Sequence, residues 1–485
     1  MSQDCIIYIQ DEVNCQLKGL DAGTRRKLVQ ATEFFMPWAK FSPAFKLGRW
    51  NGKEAFCDVG GRTNINLLDR LLPIVQEAGY LISIDDARVH NTFEFDAVSE
   101  DSYAHIVWPE GHVKAGESIM VREHQVEVVN EYLANTQSIQ KVSTGAGKTL
   151  ITAILAHKTE KYGRTITIVP SKDLVTQTER DFKLLGLDVG VYFGDRKEPG
   201  HQHIICTWQS IEALDKKSKK YDLELDLDDF VEGIATVIVD ECHGADAKVL
   251  RKHLTSTFAN VPIRWGMTGT IPLEDYDKMS LLCSIGPLIN SVTAKELQDK
   301  GILSNLHITV AQIQDYDYKF ASYATELKYL VTDKDRLKFL ANYITTHADG
   351  GNALILIDRI ETGKILQELI PGSVFINGTV DSDERKEEYK KIQTSDNNTI
   401  IATYGVAAVG IDVPRIFNLF MLEPGKSFIR VIQSIGRSIR KAEDKDFANV
   451  YDLCSSSKYS KRHLTERKKY YKQEQYPFKV VKLDR

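Results

Sequence analysis

From about residue 119 onward, short and nearly continuous apolar runs alternate with longer stretches whose apolar positions recur at helical spacing. Short apolar runs between helices read as parallel strands buried on both faces. The pattern predicts strands at 139–142, 165–169, 203–206, 236–239 and 263–267. After residue 300 a second set follows at 353–357, 373–376, 399–402, 416–422 and 450–453. Two such blocks make two parallel sheets, each covered by helices. The first hundred residues have another texture. A strand is expected at 5–9, and a helix over 24–35 with Leu28, Ala31, Phe34 and Phe35 on one side and Pro37 as its stop. A second helix is expected over 66–78, closed by Gly79. Residues 96–118 are polar, carry Pro109, Gly111 and Gly116, and read as a linker. The acidic stretch 222–229 reads as a solvated loop. The tail reads as a helix over 459–473 and a strand over 478–483. The expected organisation is a small α+β domain at 1–110 followed by α/β domains at 111–295 and 296–485.

Charge and cysteine usage narrow the picture. A formal charge of −5 excludes a polycationic tail binder but not a local basic groove. No apolar run is long enough for a bilayer, so no membrane association is expected. The first residues lack the basic and apolar regions of a secretory leader. Cys5, Cys15, Cys57, Cys206, Cys242, Cys283 and Cys454 are odd in number, widely spaced and without a C-x-x-C pair. That argues against a zinc ribbon or a disulfide framework and for reduced thiols in a cytoplasmic protein.

The segment Val142-Ser-Thr-Gly-Ala-Gly-Lys-Thr149 follows an expected strand and precedes an expected helix at 150–157. Gly145 and Gly147 let the backbone wrap a phosphate, with successive N–H groups pointing inward. Lys148 can reach the β- and γ-phosphates, and the Thr149 hydroxyl can hold Mg²⁺. Val142 stands where the strict phosphate-loop pattern has glycine. The run Thr236-Val-Ile-Val-Asp-Glu-Cys-His243 is an apolar strand ending in two carboxylates. Asp240 there can hold Mg²⁺ and Glu241 can orient the attacking water, which makes an ATPase. Gln433, Arg437 and Arg440 fall at i, i+4 and i+7, one face of a helix, and two guanidiniums on one stripe form an anion clamp.

In this order the motifs resemble those of the superfamily 2 helicases and translocases, over roughly residues 119–454. The resemblance implies two RecA-like parallel-sheet domains in tandem behind the N-terminal α+β domain, with ATP and Mg²⁺ as ligands. It implies an adenine-reading role for Arg122 and Gln125, and phosphate-loop roles for Thr144, Gly145, Gly147, Lys148 and Thr149. Asp240, Glu241 and His243 match its Asp-Glu-x-His motif, and Thr268-Gly-Thr270 its third motif. Thr403, Gly410 and Asp412 match its fifth motif, Gly410 and Asp412 as nucleotide contacts and Thr403 as a nucleic-acid contact. Gln433, Arg437 and Arg440 match its sixth, with Arg440 the first choice for the arginine finger. Pro170, Thr207, Trp208 and Gln209 stand where the family touches the nucleic-acid backbone.

The leading region resembles that of the UvsW-type phage helicases, through Phe41-Ser-Pro-Ala-Phe-Lys-Leu-Gly-Arg-Trp-Asn-Gly-Lys53 and the 67–80 stretch. That resemblance implies remodelling of branched nucleic acid: branch migration, fork regression and R-loop or D-loop unwinding in recombination, repair and replication. The implied partner is branched or duplex DNA, or RNA–DNA hybrid, and the chain is expected to act as a monomer, in the host cytoplasm if phage-encoded. Trp38, Phe41, Phe45, Trp50 and Phe56 are interleaved with Lys40, Lys46, Arg49 and Lys53. Stacking aromatics with phosphate-binding cations give this texture, and so does a small core with a basic rim. Phosphate contact is expected at Lys46, Arg49 and Lys53. The tail 455–485 has ten Lys/Arg against three Asp/Glu, which suits nucleic acid or a packing helix with a basic outer face. Two rival readings are the translocase subunit of a restriction-type system and a non-motor nucleic-acid-binding module.

Overall fold

A computed structural model describes residues 3–485 apart from 111–113, 222–224, 244–246, 316–318, 349, 379–386, 388–395, 411–414, 428–430, 433, 437–439 and 443. The chain divides into two compact units, 1–141 with 149–291, and 142–148 with 292–485.

The first unit holds two sheets and a short ribbon. The N-terminal sheet has the order Arg62–Asn64, Asn14–Lys18, Gln3–Ile9, Tyr80–Asp86, with the last pair parallel. Its core of Cys5, Ile7, Leu17, Leu28, Leu71 and Val75 also takes in Cys283 from the helix Asp275–Ser284. The first helix is Ala22–Thr32 rather than 24–35. The chain leaves the helix at Glu33 because Glu33–Phe35 pairs antiparallel with Lys53–Ala55. Residues 36–52 therefore form a loop with short helical turns at Pro37–Phe41 and Pro43–Lys46, carried on a two-stranded ribbon. Residues 96–118 are not a loose linker: Val98 and Tyr103 are buried, and the Tyr103 hydroxyl bonds His157 Nδ1 at 2.7 Å. Asn130 fixes Val98 through both its N–H and its carbonyl.

The larger sheet of this unit runs Arg196–Lys197, Val189–Phe193, His203–Thr207, Arg164–Val169, Ile234–Asp240, Ile263–Thr268, Gln137–Val142, Leu288–Val292. Pairings from Val189–Phe193 through Gln137–Val142 are parallel, as apolar strands covered on both faces should be. Register places Asp240 beside Met267, and Thr268 beside Lys141. Three carboxyl ends thus line up on one edge, where open α/β sheets bind ligands. The acidic stretch is only partly a loop. Asp226 caps a short helix, Leu227–Val231, because Phe230 is buried in the core.

The sheet of the second unit is parallel throughout: Val374–Ile376, Thr399–Thr403, Asn352–Ile357, Ile416–Leu422, Phe447–Ser455, Asn305–Gln314, Phe478–Asp484. The tail helix Lys458–Gln473 packs on it. Arg467 grips Asp452 with two bonds of 2.8 Å and donates to the Gly425 carbonyl, and the Tyr471 hydroxyl donates to the same carboxylate. Lys461, Arg462, Lys469 and Lys472 remain exposed on its outer side. Among the described residues no helix is long and apolar enough to cross a membrane, and all seven cysteines are buried thiols.

Candidate functional site

The strand Gln137–Val142 runs directly into a glycine turn and then the helix Lys148–Thr159. Gly145 and Gly147 have φ of 89° and 86°, a region open to glycine and costly for other residues. The Lys148 ammonium folds back toward the Val142 carbonyl at 3.5 Å. A left-handed turn, a lysine over it and a helix N-terminus form a cradle for phosphate, so the residues present suit ATP.

Asp240 ends its strand and accepts the N–H of Glu241 at 2.9 Å. Glu241 has φ of 48° and so lies in left-handed backbone, a strain found where a side chain must be aimed. Its Oε2 lies 3.4 Å from the Gly269 N–H, the Thr268 hydroxyl and His243 Nδ1. His243 is nearly buried and bonds the Thr268 hydroxyl, with Thr270 Oγ1 at 3.4 Å. The Asp-Glu-Cys-His segment and the Thr-Gly-Thr segment are therefore one hydrogen-bonded group. Hard oxygen donors, with the Thr149 hydroxyl in the first turn of its helix and Asp240 at a strand end, suit Mg²⁺. Gln125 is buried, and its Oε1 accepts the Arg122 N–H at 3.0 Å at the start of the helix Glu123–Ala134.

Within the second unit, Arg440 is not on a helix face. Its backbone bridges Leu303, and its carbonyl accepts the buried Lys445 ammonium at 3.0 Å. The three-residue stripe of the sixth motif is thus corrected at Arg440; Gln433 and Arg437 lie outside the described residues, as does Asp412. A Cβ on Gly145 would lie 2.8 Å from Leu303 and 3.6 Å from Arg440 Cγ, and one on Gly436 would lie 2.9 Å from Thr144. This unit therefore places the Arg440 stem against the phosphate loop. Gly410 ends the helix Tyr404–Gly410, and Thr403 ends the strand before it. Burial pushes the Lys445 amine down to about 7. Sequence reasoning passed over Lys445 because a lysine in a charged run reads as solvated.

A cleft of about 450 Å³ in the first unit gathers Pro170, Thr207 and Gln209. Two helices begin there, capped by Ser171 and Thr207, and Lys172, Lys197 and Lys217 are part of the lining. Helix N-termini with lysines attract phosphate. Partial desolvation, then Lys217, lowers the Lys197 pKa, and an arriving anion would offset the repulsion between the two lysines. Lys197 was missed because the hairpin Val189–Phe193/Arg196–Lys197 that carries it was not foreseen. Trp208 is half-buried against the hydrophobic core and is not among the cleft's lining residues. In the leading region, Lys46 and Arg49 are exposed, whereas Lys53 is ion-paired with Glu33.

Two family descriptions match the chain: "Type III restriction enzyme, res subunit" over residues 118–273, and "Helicase conserved C-terminal domain" over 335–442. Together they take in more than half of its length. The chain belongs to the superfamily 2 helicases: it is an ATP hydrolase that acts on nucleic acid through two RecA-like domains. Among individual proteins it is similar to the ATP-dependent DNA helicase UvsW of phage T4, at 25% identity over 89% of this chain and 87% of that one. The solved structure of T4 UvsW covers 99% of both chains at 22% identity with a TM-score of 0.48. A fragment of a putative HsdR subunit of a type I restriction enzyme from Vibrio vulnificus shares the fold. It has a TM-score of 0.56 at 17% identity, covering 97% of this chain and 85% of that one.

Proposed function

We propose that this ATP-dependent helicase remodels branched DNA: branch migration, fork regression and unwinding of R-loops or D-loops. The observation that carries the reading is the extent of the similarity to UvsW, which takes in 89% of the chain rather than the motor alone. Lys148 and the loop glycines would hold the β- and γ-phosphates of ATP, and Arg122 and Gln125 its base. Mg²⁺ held by Thr149 and Asp240 would neutralise charge on the phosphates. Glu241 would accept a proton from the attacking water. Its contact with Thr268, Gly269 and His243 supports a link between hydrolysis and the sheet edge. Arg440 would stabilise charge on the transferring phosphoryl group, with Arg437 and Gln433 beside it. The cleft at Pro170, Thr207 and Gln209 would hold the nucleic-acid backbone, together with Thr403, and the protein would work as a monomer in the cytoplasm of a phage host. The test is ATP turnover and strand displacement with single strands, duplex, RNA–DNA hybrid, forks and four-way junctions. Greatest stimulation by forks and junctions is expected. Equal stimulation by plain duplex would favour a simple duplex translocase.

A further inference from the structure

Residues 36–52 present an unusual surface. Phe41 is 79% exposed, Leu47 66%, and Trp38 and the neighbouring Phe35 44% each. Large apolar side chains clustered this densely on a surface mark a contact site. The loop is not loose. Met36 and Ala39 are buried beneath it, Met36 donates its N–H to the Gly52 carbonyl at 2.8 Å, and Arg49 donates to the Ala44 carbonyl at 2.8 Å. Trp38 packs on Trp50 with ring centroids 5.0 Å apart, and Lys248 sits 4.8 Å over the Trp38 ring. The aromatics separate cleanly by role. Phe56 is core, Phe45 is half-buried against Phe35, and Trp38 and Phe41 face outward.

The charge around them decides the occupant. Residues 36–52 contain Lys40, Lys46 and Arg49, all exposed, and no acidic residue. Glu33 and Glu54, on the ribbon below, are already engaged by Lys53 and Lys248. A polyanion is the complement of such a face, and flat apolar rings among its cations call for flat partners. We infer that this loop is a base-stacking platform, on which Phe41 and Trp38 receive unpaired nucleotides at a branch point while Lys40, Lys46 and Arg49 hold the flanking phosphates. The inference rests on the branched-DNA reading and adds that the element read is the unpaired base, not the duplex.

Phe41→Ala separates stacking from charge, since so exposed a ring contributes little to the fold; a melting curve checks this. Binding of the full chain to a labelled fork with unpaired arms and to a blunt duplex is measured across a salt series. Loss of one stacked base should weaken fork binding about tenfold. Duplex binding should change less than about twofold, and the log–log salt slope should stay constant, because no phosphate contact is lost. Phe41→Trp should restore fork binding and Phe41→Leu should not, which distinguishes a ring from mere apolar area. Equal weakening on fork and duplex, or rescue by leucine, overturns the platform. No loss on either substrate also overturns it. Lys46→Glu with Arg49→Glu is the companion arm: if that variant binds forks as tightly as the parent, the segment's whole nucleic-acid role fails, not only stacking.

Discussion

At the scale of single residues, the chemistry depends on a few side chains, and one of them, Glu241, is held in left-handed backbone. Lys148→Ala should abolish ATP turnover, read as phosphate release, since it removes the cation over the phosphate loop. Glu241→Gln should keep nucleotide binding and lose hydrolysis, because an amide cannot take the proton of the water. Wild-type turnover in that variant would remove Glu241 from the role. Arg440→Ala should lower turnover by roughly 10³-fold while ATP affinity changes far less, as expected of a group that acts in the transition state. An equal loss of both would show a ground-state contact. These residues were legible because phosphate chemistry demands fixed residue types at fixed spacing. Lys445 was not: nothing in its neighbours along the chain says that its ammonium will be buried on the Arg440 carbonyl.

At the scale of elements, legibility followed burial. Most strands covered on both faces are apolar runs and were read within a few residues: 236–239 became Ile234–Asp240, and 416–422 became Ile416–Leu422, but the buried strand Val189–Phe193 was not foreseen. The strand Asn305–Gln314 escaped because its first half alternates with exposed and half-buried positions. The Arg196–Lys197 hairpin escaped because its two residues are charged, and only the fold supplies their partners. Arg196 bonds both oxygens of Glu179 at 2.8 and 2.9 Å, and Lys183 joins at 2.7 Å. Arg196 above all, against some cost of burial, pulls the Glu179 carboxyl down to about 2. A depressed acid stabilises the fold above its ordinary pKa of 4.5 and loses that contribution as pH falls toward 2. The melting-temperature gap between the parent and Glu179→Gln should thus be constant near neutrality and narrow below pH 4.5. A gap that does not change with pH would mean the pair contributes little in solution.

At the scale of the whole molecule, two α/β blocks were evident from sequence, whereas the way the leading region folds was not. Its helix stops at Thr32 because a partner strand twenty residues away claims Glu33–Phe35. If Lys46 and Arg49 hold the phosphates that flank an unpaired base, reversing their charge should weaken binding to a fork with unpaired arms more than to a blunt duplex. On the fork it should also flatten the salt dependence, by about 0.7 in log–log slope per lost single-strand phosphate. Equal loss on both substrates would make them general phosphate contacts. The order of the second sheet has a different kind of consequence. Asn305–Gln314 lies between Phe447–Ser455 and Phe478–Asp484, yet it leaves the ribosome well before either. During synthesis this strand, with Leu306, Ile308, Val310 and Ile313 buried in the finished fold, has no neighbour in this sheet until residue 447 emerges. An apolar strand with two open edges invites pairing with another chain. Slow translation between residues 315 and 447 should therefore raise the aggregated fraction, whereas a pause after 484 should not.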